Sequence, residues 1–529
     1  MESVYSAMKI VLIFNEKKFE YDIFNLIRAF YPDAEMEIRY EDSLPGETVP
    51  EETPDLIWRF CYGQNQIVAE MTHASRLTDT AVLSDDERQT TAAVLPGDQQ
   101  SQAGDRQTVW REILYLENGD ERKEIKNQLK RLVYSGLVKQ CGHPLPWGDL
   151  SGIRPVRLVT GMLEDEHMTR EEAVRAMQTR YCVSPAKAEL AASVASREQA
   201  LLHEFDYRSG YSLYVDIPFC PSICLYCTFG SHPLNVWKDS VEPYLAALTC
   251  ELEMIAKLMQ NTRLDTIYIG GGTPTSLAPE QMDTLLTRIE QLFSFEELKE
   301  FTVEAGRPDT ISEEMLSVLA AHPVTRISIN PQTMHQKTLD LIGRQHTVAE
   351  TEKAFHLARK MGFNHINMDM IVGLPGEGAQ QVAFSMAEIE KLAPDAFTVH
   401  SLALKRAARM NQFRDIWRPV SFDNSIEIMD AVAEGAARMN MTPYYLYRQK
   451  NMAGNFENVG YAKPGKACLY NILIMEEKQT IVGAGCGAAT KRVLPDGSRG
   501  GRAGNVKSLQ EYLTRTDEMM ERKRELIQQ

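Results

Sequence analysis

At 529 residues the chain is too long for one ordinary domain and is expected to divide into two or three. Its 43% hydrophobic and 25% charged residues are those of a soluble globular protein, and no apolar run approaches the roughly 18 residues that span a bilayer. With 73 acidic against 57 basic residues the formal charge is −16, a balance that repels polyanions and argues against general nucleic-acid binding.

The N-terminus carries an acidic residue, Glu2, and no small-residue cleavage site follows its first apolar stretch, so that stretch reads as a strand and not as a signal peptide. Residues 8–15 (KIVLIFNE) are that strand. Phe19 to Phe30 has helical amphipathicity, and further strands are expected near Glu35–Arg39 and Leu56–Cys61. Together they predict a small α/β unit over residues 1–83. Residues 84–108 are rich in Asp, Gln, Thr, Ala and Gly and are expected to form a flexible linker. A helical pattern over 109–205 places Ile125, Leu129, Leu132 and Val133 on one face, and PWGDLSGIRPVRL (Pro146 to Leu158) interrupts it.

From Tyr211 the rhythm changes. LYVDI, DTIYIGG, EFTVEA, TRISINP, INMDMIVG and AFTVHSL alternate with helical stretches such as Pro243–Met259, Pro279–Phe293 and Val348–Met361. Strand–helix alternation implies a parallel sheet with crossover helices. Six such units predict an α/β fold with a partial (β/α)6 barrel over 206–405, whose polar or glycine-rich strand ends are where such barrels place their sites. Residues 406–529 are expected as a C-terminal extension that caps the substrate.

The nine cysteines form no disulfide framework, and three of them fall within eight residues, which points to metal or redox chemistry in a reducing cytoplasm. YVDIPFCPSICLYCTF places Cys220, Cys224 and Cys227 as C-x-x-x-C-x-x-C directly after a strand. Three thiolates can hold three irons of a [4Fe–4S] cubane and leave the fourth iron without a protein ligand. A structural zinc site would need a fourth ligand, for which His232 is the nearby candidate. Buried packing cysteines are the third possibility. Cys61, Cys141, Cys182, Cys250, Cys468 and Cys486 are all read as packing residues.

This spacing, with the preceding Y-x-x-I-P-F-C, resembles the radical S-adenosylmethionine (SAM) superfamily. More specifically, Tyr211 to Lys491 resembles the oxygen-independent coproporphyrinogen III oxidase family. The WGDLSGIRP segment is similar to the coproporphyrinogen dehydrogenase HemZ branch. The resemblance implies a SAM bound at the open iron, cleaved by an electron from the cluster to give a 5′-deoxyadenosyl radical. It also implies an external reductant such as flavodoxin or ferredoxin. By position in the family's motifs, Gly271, Gly272 and Thr273 of YIGGGTPTSL would contact SAM. So would Glu304 of TVEAGRPDTI, Gln332 and Arg344 of ISINPQTMHQKTLDLIGRQHT, Asp369 of INMDMIVGLPGE, and Tyr214 and Tyr226 beside the cysteines. The chemistry agrees: a carboxylate suits ribose hydroxyls, and a guanidinium suits the methionine carboxylate. Taken singly, each of these residues could equally be a strand-end cap.

The same resemblance implies a cytoplasmic oxidoreductase of haem biosynthesis, which would convert coproporphyrinogen III to protoporphyrinogen IX by oxidative decarboxylation of two propionates. Neither nucleic acid nor membrane is an expected partner. Four substrate carboxylates call for cations. LALKRAARM supplies Lys405, Arg406 and Arg409, and YLYRQKN supplies Arg448 and Lys450, although either cluster would also serve as a solvated basic face. The family's best-known oxidases follow the third cysteine with Gly-Cys. Here Thr228 and Phe229 follow it, and Phe at this point also occurs in relatives that resemble haem chaperones. A haem chaperone, or an enzyme that modifies haem by methyl or adenosyl transfer and ring opening, therefore stands beside the leading reading.

Overall fold

The computed structural model describes residues 8–41, 54–74, 106–117, 121–152, 154–228, 230–403, 424–450 and 452–529. They form two compact units, Met1–Ser151 with Ala176–Ser184, and Gly152–Arg175 with Pro185–Gln529. Among the described residues no helix is long and apolar enough to cross a membrane.

In the first unit, alternating apolar residues make a five-stranded sheet. Strand β1 (Lys9–Phe14) pairs in parallel with β2 (Glu35–Tyr40) and β3 (Leu56–Tyr62). Strands β4 (Gln66–Ala74) and β5 (Arg106–Tyr115) then add in antiparallel fashion, giving the order β2-β1-β3-β4-β5. One face, with Leu12, Phe14, Trp58 and Phe60, shares a buried core with Ile23 and Ile27 of α1 (Glu20–Phe30) and Leu129 and Val133 of α2 (Arg122–Cys141).

Two expectations change here. The helical pattern placed over 109–205 begins as a strand, and the C-terminal end of the expected linker, residues 106–108, belongs to that strand; the rest of 84–108 lies outside the described residues. The cause is tertiary. Met71 of β4 is the partner of Trp110, whose indole is buried and meets α2 so closely that a side-chain carbon at Gly136 would lie 2.7 Å from it. Such pairing overrides a weak local periodicity.

The second unit opens with helices α3 (Pro155–Glu164) and α5 (Pro185–Leu202), while α4 (Arg170–Tyr181) is divided between the units. Six parallel strands follow in chain order: β6 (Gly210–Ile217), β7 (Arg263–Gly271), β8 (Glu300–Glu304), β9 (Arg326–Ser328), β10 (Ile366–Val372) and β11 (Ala396–Ser401). Crossover helices α6 (Val241–Leu258), α7 (Pro279–Leu292), α8 (Glu313–Ala321), α9 (Val348–Lys360) and α10 (Ala379–Leu392) connect them. The caps are written in the sequence: Ser312 accepts from the Met315 amide, and Thr347 with Glu350 closes a capping box on α9. This is the expected six-unit (β/α) array.

The C-terminal residues extend the sheet at both ends. Helix α11 (Ile426–Arg438) leads to β12 (Thr442–Tyr447) and β13 (Asn458–Ala462), which extend the β11 edge in antiparallel fashion. After α12 (Leu469–Glu476), β14 (Thr480–Ala484) pairs in parallel with β6, and β15 (Ala489–Val493) and β16 (Arg499–Gly504) continue outward. The sheet therefore has eleven strands, and its two ends do not pair with each other.

A buried ion pair fastens this extension. Glu251 of α6 is fully buried and accepts from Lys523 of α13 (Thr516–Gln528). It also accepts from the Gly485 amide at 2.7 Å, Asn505 Nδ2 at 2.9 Å and the Tyr512 hydroxyl at 2.6 Å. Removing one member of such a pair leaves a buried charge alone. Lys523→Met is expected to cost about 3–5 kcal/mol in denaturant unfolding. Arg522→Met, which breaks only the exposed pair with Glu518, should cost about 0–1 kcal/mol.

Candidate active site

Side chains alternate along the six parallel strands, and one face of the array is polar. Ser212, Tyr214 and Asp216 stand opposite Thr266, Tyr268 and Gly270. Their neighbours are Thr302 and Glu304 on β8, Arg326 and Ser328 on β9, Asn367 and Asp369 on β10, and Thr398 and His400 on β11. The residues that alternate with them, such as Val215, Ile269, Val303, Ile327, Met368 and Val399, are fully buried apolar groups.

The three cysteines lie where β6 ends. Cys220 and Cys224 are buried and Cys227 is half-buried. The Cys227 amide donates to the Cys224 carbonyl at 3.1 Å, and the Leu225 amide to the Ile342 carbonyl at 3.0 Å, so the loop is a folded turn tied to its surroundings. The Cys220 thiol lies 3.4 Å from the Thr273 hydroxyl. Burial pushes that thiol up to about 12, against the effect of the Thr273 hydrogen bond.

Among the described residues, no three His, Cys, Asp or Glu side chains converge on a single ion. Ligands of a cubane need no such convergence, because each thiolate takes a different iron.

In the glycine loop after β7, two backbone amides have partners within the protein. The Gly272 amide donates to the Ile217 carbonyl and the Thr273 amide to the Phe219 carbonyl, both at 2.8 Å. Those two amides extend the strand pairing and are engaged within the protein. The Thr273 hydroxyl, beside Cys220, is what the loop presents.

Around this corner the structure gathers the other strand-end residues. Glu304 accepts from the Tyr268 hydroxyl at 2.6 Å; burial, with Asp369 adding to it, pushes its carboxyl up to about 7 against the Tyr268 bond. Asp369 accepts from Asn367 at 2.7 Å and lies 3.7 Å from His400. Burial opposes its ionisation, but His400, Asn367 and Arg326 outweigh burial and hold it below the usual carboxylate range. Gln332 has φ +67°, a left-handed conformation costly for a residue with a side chain, and its amide oxygen is buried without a partner. The Asn330 amide oxygen and Ser328 hydroxyl are likewise buried and unpartnered.

Tyr214 donates to Asp216 at 3.1 Å, and its ring stands 6.2 Å from Tyr268 and 6.1 Å from Tyr470. Arg344 is buried and largely committed to the protein. It donates to the Gly306 and Asn330 carbonyls, both at 2.8 Å, and to the Tyr226 hydroxyl at 3.1 Å. Its Nε lies 3.4 Å from His346, so the guanidinium cross-links strand ends to the cysteine loop and does not stand open.

Of the basic residues assigned to substrate, the described one, Arg448, is not part of this group. Arg448 is buried, and it donates to Asn455 and, at 3.5 Å, to the Gly152 carbonyl; burial lowers it to about 10. It is thus not on a solvated basic face. Lys405, Arg406 and Arg409 lie outside the described residues. Cys468 and Cys486 are buried with their thiols hydrogen-bonded, to Glu300 and to the Val506 and Lys507 carbonyls. Cys250, read as packing, is instead exposed on the outer face of α6.

Two residues escaped the sequence reading. Asp216 sits two positions before Pro218, and burial drives its carboxyl well above the usual range, with Tyr214 opposing. Arg307 lies 3.9 Å from the Cys224 sulfur and donates to the Ser222 hydroxyl at 2.8 Å while paired with Asp309. The Asp before I-P-F-C and the Arg of A-G-R-P-D were the available signals.

Residues 214–389 match the model of the Radical SAM superfamily. The oxygen-independent coproporphyrinogen-III oxidase-like protein HemZ of Bacillus subtilis (strain 168) is 39% identical over 411 residues, 77% of this chain and 82% of that protein. The heme chaperone HemW of Lactococcus lactis subsp. lactis (strain IL1403) is 32% identical over 280 residues, 53% of this chain and 69% of that protein. The structure of coproporphyrinogen III oxidase (HemN) from Escherichia coli aligns with a TM-score of 0.47 at 22% identity, over 61% of this chain and 73% of that one. The chain therefore belongs to the radical SAM superfamily, in the family of oxygen-independent coproporphyrinogen-III oxidase-like proteins.

Proposed function

We propose that Cys220, Cys224 and Cys227 hold a [4Fe–4S] cluster with SAM beside it, and that the protein uses this pair on a tetrapyrrole. The observation that carries the reading is the meeting of three thiols, at the end of the first parallel strand, with a wall of buried polar groups. The donor set fits: the thiols stand on one folded turn, with the Arg307 guanidinium 3.9 Å from the Cys224 sulfur. The unpartnered oxygens of Gln332, Asn330 and Ser328 fit a polar ligand. When bound, the cluster supplies the electron that cleaves a sulfonium carbon–sulfur bond.

The chain's own residues position and shield. Asp369 and Glu304 accept hydroxyl or ammonium donors, Gln332 accepts through its free amide oxygen, and Gly271, Gly272 and Thr273 form the floor beside Cys220. Arg344 fixes Tyr226 and the cysteine loop, and Tyr214 closes the inner side with Tyr268 and Tyr470.

The substrate reading is oxidative decarboxylation of coproporphyrinogen III to protoporphyrinogen IX. The likeness to HemZ over most of both chains supports it. With Arg448 held internally, recognition of the propionates falls to Arg406 and Arg409. A haem chaperone is the second reading, favoured by Thr228-Phe229 in place of Gly-Cys and by the chaperone relatives.

Protein purified without oxygen is expected to contain about four irons and four sulfides, and Cys220→Ala, Cys224→Ala or Cys227→Ala should abolish the brown chromophore. Zinc in place of iron refutes the assignment. SAM affinity should rise with pH through about 7 and level off above it, because ionised Glu304 holds an ammonium or hydroxyl donor more strongly than its protonated form; Glu304→Gln should give a flat profile. Anaerobic incubation with SAM, reductant and coproporphyrinogen III should release carbon dioxide and protoporphyrinogen. Arg406→Ala or Arg409→Ala should weaken tetrapyrrole binding by about 2 kcal/mol without changing SAM cleavage in its absence. Stable haem binding without turnover would favour the chaperone reading.

A further inference from the structure

Strand β8 ends at Glu304, and the chain then runs through A-G-R into a short turn over Pro308–Thr310. Arg307 is pinned at the start of that turn: its carbonyl accepts from the Thr310 amide at 2.9 Å and from the Thr310 hydroxyl at 2.8 Å. Its guanidinium is buried and engaged on two sides. On one side, Nε and Nη2 donate to the two oxygens of Asp309 at 3.0 and 2.7 Å. On the other, Nη1 reaches the loop between the first two cysteines. It donates to the Ser222 carbonyl at 3.1 Å and hydroxyl at 2.8 Å, with the Cys224 sulfur 3.9 Å away.

Positive charge is in excess here. Arg344 is a second buried guanidinium, and among the described residues its hydrogen-bond partners are two carbonyls, the Tyr226 hydroxyl and His346, with no carboxylate. Burial and Arg344 push His346 down to about 3, so it is neutral near pH 7. Two buried cations thus share Asp309, an arrangement that is costly unless an anion joins them. A [4Fe–4S] cluster on three thiolates is such an anion, and its negative charge grows by one on reduction. Net charge and hydrogen bonds to the sulfurs set the potential of such clusters, and a cation at the sulfur favours the reduced form.

We propose that Arg307 is a positioning residue of the cluster site: it clasps the cysteine loop through Ser222, and its charge beside the Cys224 sulfur raises the reduction potential of the cluster. This rests on the reading of Cys220, Cys224 and Cys227 as cluster ligands. The step it affects is the gain of one electron from a low-potential donor, with no bond made or broken.

The test uses the full-length chain, reconstituted with iron and sulfide without oxygen. Its midpoint potential is read without SAM, from the electron paramagnetic resonance of the reduced cluster during titration with dithionite, and iron is counted alongside. In Arg307→Met the ratio of reduced to oxidised cluster at a fixed potential should fall about tenfold, which is about 59 mV for one electron. Asp309→Asn keeps an acceptor for the guanidinium and removes the counter-charge, so its potential should move the opposite way. A residue that only props the loop would shift both variants in the same direction or neither, and either result in iron-loaded protein would overturn the proposal. Should Arg307→Met fail to hold iron, Asp309→Asn decides: a potential no higher than the parent's overturns the proposal. Parent protein without iron would overturn the cluster reading itself, and this inference with it.

Discussion

A side-chain carbon at residue 272 would lie 2.6 Å from the Phe219 carbonyl oxygen and 2.9 Å from Pro218, closer than any such atom can approach. Only glycine lets β7 remain paired with the chain leaving β6, through the Gly272 and Thr273 amides, as far as Cys220. That continued pairing sets the direction of the cysteine loop. It brings the Thr273 hydroxyl to the Cys220 thiol and leaves Leu225 to close onto Ile342. Displacing residue 272 would move the origin of every distance in the site.

Inside the array, the electrostatics divide the carboxylates into two kinds. Asp216 and Glu304 share a pocket with tyrosine rings and little compensating charge, so burial favours their neutral forms. Asp369, beside His400 and Asn367, stays ionised. A polar ligand entering this corner meets one fixed negative charge and two groups whose charge it can itself settle. These carboxylates stand on alternate strands of one sheet face, and such opposed protonation occurs at functional sites and in ion-pair networks alike.

The parts legible in the sequence were those fixed locally. The six parallel strands announce themselves by alternation and by glycine or polar ends, and the cysteine spacing needs no tertiary knowledge. Glu304 ends β8, but Asp369 lies inside β10 and Gln332 lies beyond β9; both were assigned through the resemblance to the family and not from the strand rhythm. What escaped depends on distant partners. Strand β5 is defined by its pairing with β4, across a stretch of chain with no pattern of its own. The glycine loop was assigned to SAM by resemblance, and the sequence does not say that its close neighbour is backbone. Arg344 and Arg448 carry charges that suggest ligands, and only the structure reveals the carbonyls that already engage them.

The pairing of β14 with β6 has a consequence for how the molecule is made. The strand that leads into Cys220 is covered on one side by β7, which the ribosome delivers soon afterwards. Its other edge waits for residues 480–484, which follow all six parallel strands in the chain. Until they emerge, β6 offers a row of unpaired amides and carbonyls. The nascent chain thus carries its cysteine loop on a strand edge that stays uncovered after the six parallel strands themselves have been made.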